Sequence, residues 1–307
     1  MHPLKNSEKV SNAIRKAARG VGEAVDAAKT KIVDVVDVNG NGEIDLEDFI
    51  ILGLRTPGIR VDRARFLQKQ LEKNHPQSVI DDAIGHNPAH AGIDPAEIER
   101  IADEVIKYER NCVSGISAAL GAPGGAAMVA TIPADMIQYY GYMLRATQKL
   151  MYLYGFPEID AAEREGVFDA ETMNILTLCL GVMYGVQQAN VALKAMAAAL
   201  GSGVEKKLLA MALTKGTFYP MVKGVLKWFN VNLTKKAFAG FFKKAIPVVG
   251  GVVGGGITYL SFKPCCDRLK ASLRDTLLSN PKHHATEEER RMVDEMLAQD
   301  VDYAEVT

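Results

Sequence analysis

Cysteine and tryptophan are scarce in this chain, which has four cysteines and one tryptophan among 307 residues. The cysteines lie at positions 112, 179, 265 and 266 and show no CxxC spacing, which argues against a disulfide framework. The N-terminus also lacks an apolar run behind its first charged residues, so it does not have the pattern of a secretory signal. These absences predict a cytoplasmic protein.

Negative charge is absent from residues 206–266, although the whole chain has a formal net charge of −1. The same segment contains ten lysines and no arginine. This uneven distribution predicts an anionic surface as a partner. The absence of arginine argues against nucleic acid as that partner, because recognition of bases and phosphates usually uses the guanidinium group.

Catalytic motifs are also missing, since the sequence contains no GxSxG, HExxH or P-loop pattern. His86 and His90 are four residues apart, but Pro88 between them should break the helix that would direct both rings at one metal ion. His283 and His284 fall in a polar terminal segment, where we expect them to be solvated. We therefore expect a protein that is not an enzyme.

Helix is favoured along almost the whole chain, because Ala, Leu, Met, Glu and Lys are abundant and β-branched residues seldom alternate with polar ones. Apolar spacing predicts a long amphipathic helix over residues 7–36 and shorter helices over 46–54 and 62–73. A further helix should begin at Asp94, which can cap it, with Pro95 in the first turn. The predicted fold class is an all-α, multi-helix bundle.

Three segments carry no charge over a helical length, namely 111–134, 172–193 and 245–262. Each approaches the roughly 20 residues that cross a bilayer. Their glycine, proline and amide content favours glycine-rich helices buried in the core over membrane-spanning ones. In the last segment, glycines spaced four apart (250 with 254, 251 with 255) allow two helix backbones to approach closely.

The clearest motif is a twelve-residue loop of the EF-hand type at residues 37–48. Such a loop supplies oxygen ligands to Ca²⁺ from positions 1, 3, 5, 7, 9 and 12, with glycine at position 6. Gly42 occupies position 6 and Ile44 supplies the apolar residue at position 8. The predicted ligands are Asp37, Asn39, Asn41, the carbonyl of Glu43, Asp45 and Asp48.

Two features predict weak or structural calcium binding. Asn39 and Asn41 provide less negative charge than aspartate would, and Asp48 at position 12 reaches the ion less readily than glutamate. No second loop is present to pair with the first. The alternative interpretation is a polar Asn-Gly turn between two helices.

A basic and aromatic region follows later in the chain. In residues 234–246, Phe238, Phe241 and Phe242 occupy one helical face while lysines occupy the other, a pattern typical of helices that lie on a membrane surface. The candidate membrane-contacting residues are Lys227, Trp228, Lys235, Lys236, Lys243 and Lys244. The alternative is a solvated lysine face over aromatic side chains that point into the core.

The segment 93–160 contains a glycine-rich run (Gly121, Gly124 and Gly125), a Pro-x-Asp element (Pro133 and Asp135), a helical arginine (Arg145) and a Tyr-Gly pair (Tyr154 and Gly155). A second element is the run IPVVGGVVGGGITY at 246–259. In these elements the chain resembles the EcsC family of bacterial proteins. The resemblance covers about residues 61–278, and the calcium loop lies outside it.

The resemblance implies a helical, cytoplasmic and often membrane-associated protein with no established reaction. Together with the motifs, it divides the chain into an N-terminal calcium-binding segment (1–56), an EcsC-like helical domain (57–282) and a polar tail with a short helix (283–307). The predicted function is that of a calcium-binding, non-catalytic helical protein of EcsC type that docks on anionic lipid through its lysine and aromatic face. Two alternatives stay open: a carrier of a lipid or small apolar ligand or an enzyme of unknown reaction, and a soluble scaffold that calcium merely stabilises.

Overall fold

The computed structural model describes residues 36–38, 40–42, 44–122, 125–164, 167–244, 250–280 and 282–304, without side chains at 125–133, 167, 232–254 and 299–304. These residues form eleven helices and one pair of two-residue strands, which confirms the predicted all-α fold class. The helices are α1 (Leu46–Arg55), α2 (Arg63–Leu71), α3 (Gln77–Gly85), α4 (Pro95–Gly121), α5 (Gly125–Leu153), α6 (Ala170–Met183), α7 (Gln187–Gly201), α8 (Lys206–Thr214), α9 (Tyr219–Lys244), α10 (Gly250–Arg274) and α11 (Glu287–Ala304). The strands β1 (Glu163–Arg164) and β2 (Val167–Phe168) pair antiparallel between α5 and α6.

Helix starts follow local capping chemistry. Asp94 caps α4 by accepting a 2.9 Å hydrogen bond from the backbone N–H of Ala96, and Pro95 is the first helical residue, as predicted. α11 begins with a reciprocal capping box, in which Thr286 and Glu289 each accept a hydrogen bond from the other's backbone N–H. The cap of α4 and the capping box of α11 both satisfy backbone N–H groups that have no partner inside the helix.

Two of the three uncharged segments are split by turns, so neither forms the single helix that its length suggested. Residues 111–121 end α4, and α5 starts at Gly125. The segment 172–193 breaks at Gly185, which has a φ of 83°, in the left-handed region that favours glycine. At this break the backbone N–H of Val186 donates a hydrogen bond to the carbonyl of Gly181. In the part of the chain that the structure describes, none of the helices is long and apolar enough to cross a membrane.

The polar stretch at 74–92, which is rich in His, Asn and Pro, contains α3. Pro76 precedes this helix, and it ends where His86 leaves helical geometry with φ −116° and ψ −95°. Ile80 and Ala83 are buried and supply the apolar contacts that hold the short helix in place. Tertiary packing therefore outweighs the polar composition of the stretch.

Helix α4 lies between α5 and α10 and runs antiparallel to both. Towards one end, Lys270 of α10 contacts Glu99 and Asp103 of α4 at 2.9 and 2.7 Å. Towards the other end, a Cβ added to Gly255 would lie 2.9 Å from the Cβ of Ala118 and 3.0 Å from the carbonyl oxygen of Ser114. The predicted glycine spacing thus serves close packing between α10 and α4 at this point.

One hydrophobic core connects the predicted segments 1–56, 57–282 and 283–307. Val36 and Phe49 belong to it, and so do Met292 and Met296 of α11. α1 packs on α5, where the Phe49 and Tyr140 rings stack at 4.5 Å between centroids, and α11 packs on α7 and α8. The predicted amphipathic helix at 7–36 lies outside the described residues except for Val36.

Candidate functional sites

The calcium-type loop has the backbone curvature that its glycines predict. Gly40 and Gly42 have φ values of 71° and 84°, in the left-handed region. This curvature lets the carboxylate of Asp37 accept backbone hydrogen bonds from Gly40 and Gly42, both at 2.8 Å, and from Asn41 at 3.2 Å. The first predicted ligand therefore sits inside the turn.

The last two predicted ligands connect the loop to α1. Asp45 is the N-cap of α1 and Asp48 occupies the third helical position, and the two form a capping box. Asp48 is fully buried, and its carboxylate accepts hydrogen bonds from the backbone of Asp45 at 2.9 Å and of Val38 at 3.0 Å. Both ends of the loop are thus joined through one carboxylate.

This donor set fits a calcium ion. Calcium prefers carboxylate and amide oxygens. Oδ2 of Asp37 accepts one backbone N–H, that of Gly42, so it keeps a second lone pair for a cation. Asn41 donates to Asp45 at 2.9 Å, so these two predicted ligands are already neighbours. Burial raises the pKa of Glu47, and the neighbouring charges of Asp45 and Asp48 raise it further. The predicted ligands Asn39 and Glu43 lie outside the described residues.

In the first half of the basic region, at 218–229, the structure agrees with the alternative interpretation, which is a solvated lysine face over aromatic side chains that point into the core. Lys223 and Lys227 are exposed, whereas Phe218 and Phe229 are completely buried. Trp228 is half-buried and contacts the ring of Phe229 at 5.1 Å. The rings of this half therefore belong to the core. The other candidates, Lys235, Lys236, Lys243 and Lys244, lie in α9 where side chains fall outside the description.

Four large apolar side chains are exposed elsewhere, on the uncharged ends of α4 and α10, and we call this set the apolar end. Its members are Ile116, Ile257, Tyr259 and Leu260, which are 38%, 45%, 43% and 73% exposed. Their exposure was not predicted, because these segments have the composition of buried core helices. The signal was present, since the four residues interrupt runs of small side chains without any charge.

The family-type residues Asp135 and Arg145 have separate partners. Asp135 accepts a 2.5 Å hydrogen bond from the hydroxyl of Ser117, which in turn accepts one from Thr258 at 3.2 Å. Arg145 lies 3.5 Å from the buried carboxylate of Glu109. Polar groups thus join α4, α5 and α10 at one level and α4 and α5 at a second.

A cleft of about 570 Å³ opens beside Arg145. Cations outnumber carboxylates in its wall, where Arg60, Arg65, Lys69 and Lys149 join Arg145 against Asp62 and Glu104. Phe66 and Tyr108 add aromatic surface. Its size falls within the usual range for ligand clefts. The cationic wall suits an anionic group.

Asp82, His86 and His90 form a cluster that the sequence did not predict. No helix continues through Pro88, as predicted, since α3 ends at Gly85, but the conclusion that the two rings cannot be directed at one place is wrong. The rings of His86 and His90 stack at 4.4 Å, and both Nδ1 atoms face Asp82. A turn, instead of a continuous helix, brings the rings together.

Comparison with family models, with curated proteins and with solved structures finds no match for this chain. The resemblance to the EcsC family therefore stays a prediction from its motifs.

Proposed function

We propose that this is a non-catalytic, calcium-binding protein of EcsC type that docks peripherally on anionic membrane. The observation that supports docking most directly is the apolar end. Large apolar side chains are unfavourable in water, and four of them exposed on uncharged helix ends indicate a surface that another apolar phase covers. We assign that phase to a lipid bilayer.

Charge around the apolar end supports this assignment. No acidic residue occurs between 206 and 266, so the part of α10 that carries Ile257, Tyr259 and Leu260 has no negative charge of its own. The guanidinium of Arg110 lies 3.9 Å from the centroid of the Tyr259 ring, and Lys107 and Lys263 are exposed nearby in sequence, Lys263 being paired with Asp267 at 2.6 Å. Tyrosine and basic side chains bordering an apolar surface are typical of membrane interfaces. Lipid headgroups of negative charge complement this border.

A chain of ring contacts connects the calcium loop to the apolar end. The loop caps α1, whose Phe49 stacks on Tyr140 of α5. The neighbouring Tyr139 meets Phe262 of α10 edge-on at 6.1 Å, and its hydroxyl lies 3.3 Å from that of Ser261. Calcium that orders α1 therefore acts on helices that also carry the exposed apolar residues.

Calcium is expected to stabilise the protein through this loop. Binding to the folded state alone adds about 2.7 kcal/mol at a calcium concentration of 100 times Kd. Asp37→Asn should weaken calcium binding at least about tenfold, a loss of ~1.4 kcal/mol, because one charged ligand is lost while an oxygen that can accept the backbone N–H groups remains. Melting curves of the full chain, with calcium or with a chelator, measure both effects.

The matched control for this experiment is Asp62→Asn. Asp62 also accepts a backbone hydrogen bond at a helix start, from Arg65 at 2.7 Å, but lies outside the loop. Its replacement should leave the calcium response unchanged. A calcium response of equal size in Asp37→Asn would overturn the assignment of the loop.

Membrane docking is tested by flotation of the full chain with vesicles of phosphatidylserine and phosphatidylcholine, or of phosphatidylcholine alone. We expect flotation only with the anionic vesicles and more of it with calcium. Joint replacement Ile257→Gln and Leu260→Gln should lower partitioning at least about tenfold, since each buried apolar side chain contributes about 1.5–3 kcal/mol. Both side chains are exposed, so the fold should persist, which circular dichroism checks.

Val231→Gln is the control, because Val231 is 56% exposed on α9 and lies outside both the apolar end and the cleft beside Arg145. Failure of the unchanged protein to float with anionic vesicles, with or without calcium, contradicts membrane docking. Equal flotation of the Gln double variant contradicts the role of the apolar end. If the fraction of protein that floats is the same with and without calcium, and calcium raises the melting temperature, the ion is a structural stabiliser only.

The cationic cleft favours a second candidate, a carrier of an anionic amphiphile. In this candidate, Arg145 would contact the headgroup, and Phe66 and Tyr108 would contact the start of an acyl chain. Native mass spectrometry of the purified chain distinguishes this candidate, because a carrier retains lipid that Arg145→Gln releases. A lipid-free protein rules it out.

A further inference from the structure

We propose that Asp82, His86 and His90 form a binding site for a divalent transition metal ion, with zinc as the best fit and one coordination position left open. The site is distinct from the calcium loop in position and in chemistry. Each of the three residues offers one ligand atom, and these atoms all lie within 4.8 Å of one another. In the part of the chain that is described, this is the one group of three or more His, Cys, Asp or Glu residues with that property.

The distances suit one small ion. The Nδ1 atom of His86 lies 2.8 Å from Oδ1 of Asp82, and the Nδ1 atom of His90 lies 3.4 Å from Oδ2. In a tetrahedral zinc site with bonds of about 2.0–2.1 Å, neighbouring ligand atoms are roughly 3.3 Å apart. Both nitrogen atoms already face the carboxylate, so a metal ion replaces hydrogen bonds that point at the same place.

The local chain path explains the convergence. Asp82 and His86 are four residues apart across the last turn of α3, the spacing that puts two side chains on one helical face. The chain then turns at Asn87, whose side-chain oxygen accepts a 2.8 Å hydrogen bond from the backbone of His90. The turn returns the ring of His90 to that of His86, with 29° between their planes.

A buried arginine makes this turn rigid. Arg63, at the start of α2, donates to the carbonyls of Ala83, Ile84 and His86 at the end of α3 and to that of Phe156. Its side chain therefore fixes the backbone that carries two of the three ligands. Sites with ligands held in place before binding lose less free energy when the ion arrives.

The ligand set indicates the class of metal. Two imidazole nitrogens and one carboxylate oxygen suit zinc and its neighbours, whereas calcium and magnesium prefer oxygen alone. Zinc sites with three protein ligands keep a fourth position for water or another ligand. The side chains of His86 and His90 are 62% and 59% exposed, which leaves that position accessible from solvent.

Zinc is titrated alone into the full chain, after removal of metals by a chelator and dialysis, in competition with a chromogenic chelator. We expect one zinc ion per chain. His86→Ala and His90→Ala should each weaken zinc binding by about 100-fold. Loss of a group that only supports a metal ligand already costs about 10–100-fold, and loss of a ligand itself should reach at least the upper end of that range. Asp82→Asn, which keeps the side-chain shape, should weaken binding in the same direction.

His284→Ala is the matched control, because His284 is exposed and lies outside the cluster. Circular dichroism and melting curves show whether each variant is folded. Cobalt(II) provides a second measurement, since nitrogen and oxygen ligation lacks the strong near-ultraviolet band of thiolate ligation. Undiminished zinc binding in the His86 and His90 variants, a thiolate band, or no binding by the unchanged chain would each overturn the proposal.

Discussion

Replacement of Arg63 by methionine is expected to lower the free energy of unfolding by about 3–4 kcal/mol, because each buried acceptor left without a donor costs about 1–3 kcal/mol. Arg63 is 6% exposed and donates to four backbone carbonyls from two distant parts of the chain. Burial lowers the pKa of its guanidinium, and the carboxylate of Glu158 opposes that shift. The four hydrogen bonds compensate for the removal of this cation from water.

Urea unfolding of the full chain measures this effect, and Arg63→Lys should recover less than half of it, because an ammonium group lacks the planar fork of guanidinium. Arg65→Ala is the control. Arg65 is exposed on the same helix, and its loss should change stability by less than about 0.5 kcal/mol. A loss below about 1 kcal/mol in Arg63→Met would show that water satisfies the carbonyls instead.

Replacement of Lys149 by methionine is expected to cost about 3–5 kcal/mol, since it removes the main partner of a buried charge. Glu109 has no exposed surface, and its Oε1 lies 2.5 Å from the Lys149 ammonium and 3.5 Å from Arg145. Its Oε2 has no hydrogen-bond partner among the described side chains. Burial lowers the pKa of Lys149, while the Glu109 charge opposes the shift, so the pair depends on both members.

A double-mutant cycle separates the pair from its surroundings. Glu109→Leu combined with Lys149→Met should be within about 1 kcal/mol of the unchanged protein, because removal of both charges also removes their desolvation. Arg100→Met breaks an exposed pair with Glu104 on the same helix as Glu109, and should cost less than about 0.5 kcal/mol. A double variant as unstable as Lys149→Met alone would show that packing, and not charge, accounts for the loss.

The secondary structure followed from the sequence wherever the signal was local. The starts of α4 and α11 were readable because capping joins residues one to three positions apart, through Asp94 and through Thr286 with Glu289. The EF-hand spacing likewise predicted the left-handed glycine at position 42 and the helix after the loop. The break at Gly185 was harder to predict, because a glycine inside an apolar run fits a buried helix as well as a turn.

Periodicity alone misplaced the aromatic residues and the apolar end. Phe218 and Phe229 alternate with lysines in a way that suits either a membrane face or a solvated helix, and only packing against α7 and α6 buried them. Ile257 and Leu260 belong to a glycine-rich run that suits a core helix, yet they point away from the core. A helix pattern shows which residues share a face but not what that face meets.

The sequence by itself determined the all-α class, the calcium-type loop and the concentration of lysine without acidic residues, because composition, spacing and charge are local properties. Only the tertiary structure decided that Glu109 meets Lys149 forty residues away, that Arg63 supports the turn bearing His86 and His90, and that apolar side chains remain exposed beside Arg110. These contacts join helices far apart in sequence, so they depend on how whole faces pack, and no single segment encodes that packing.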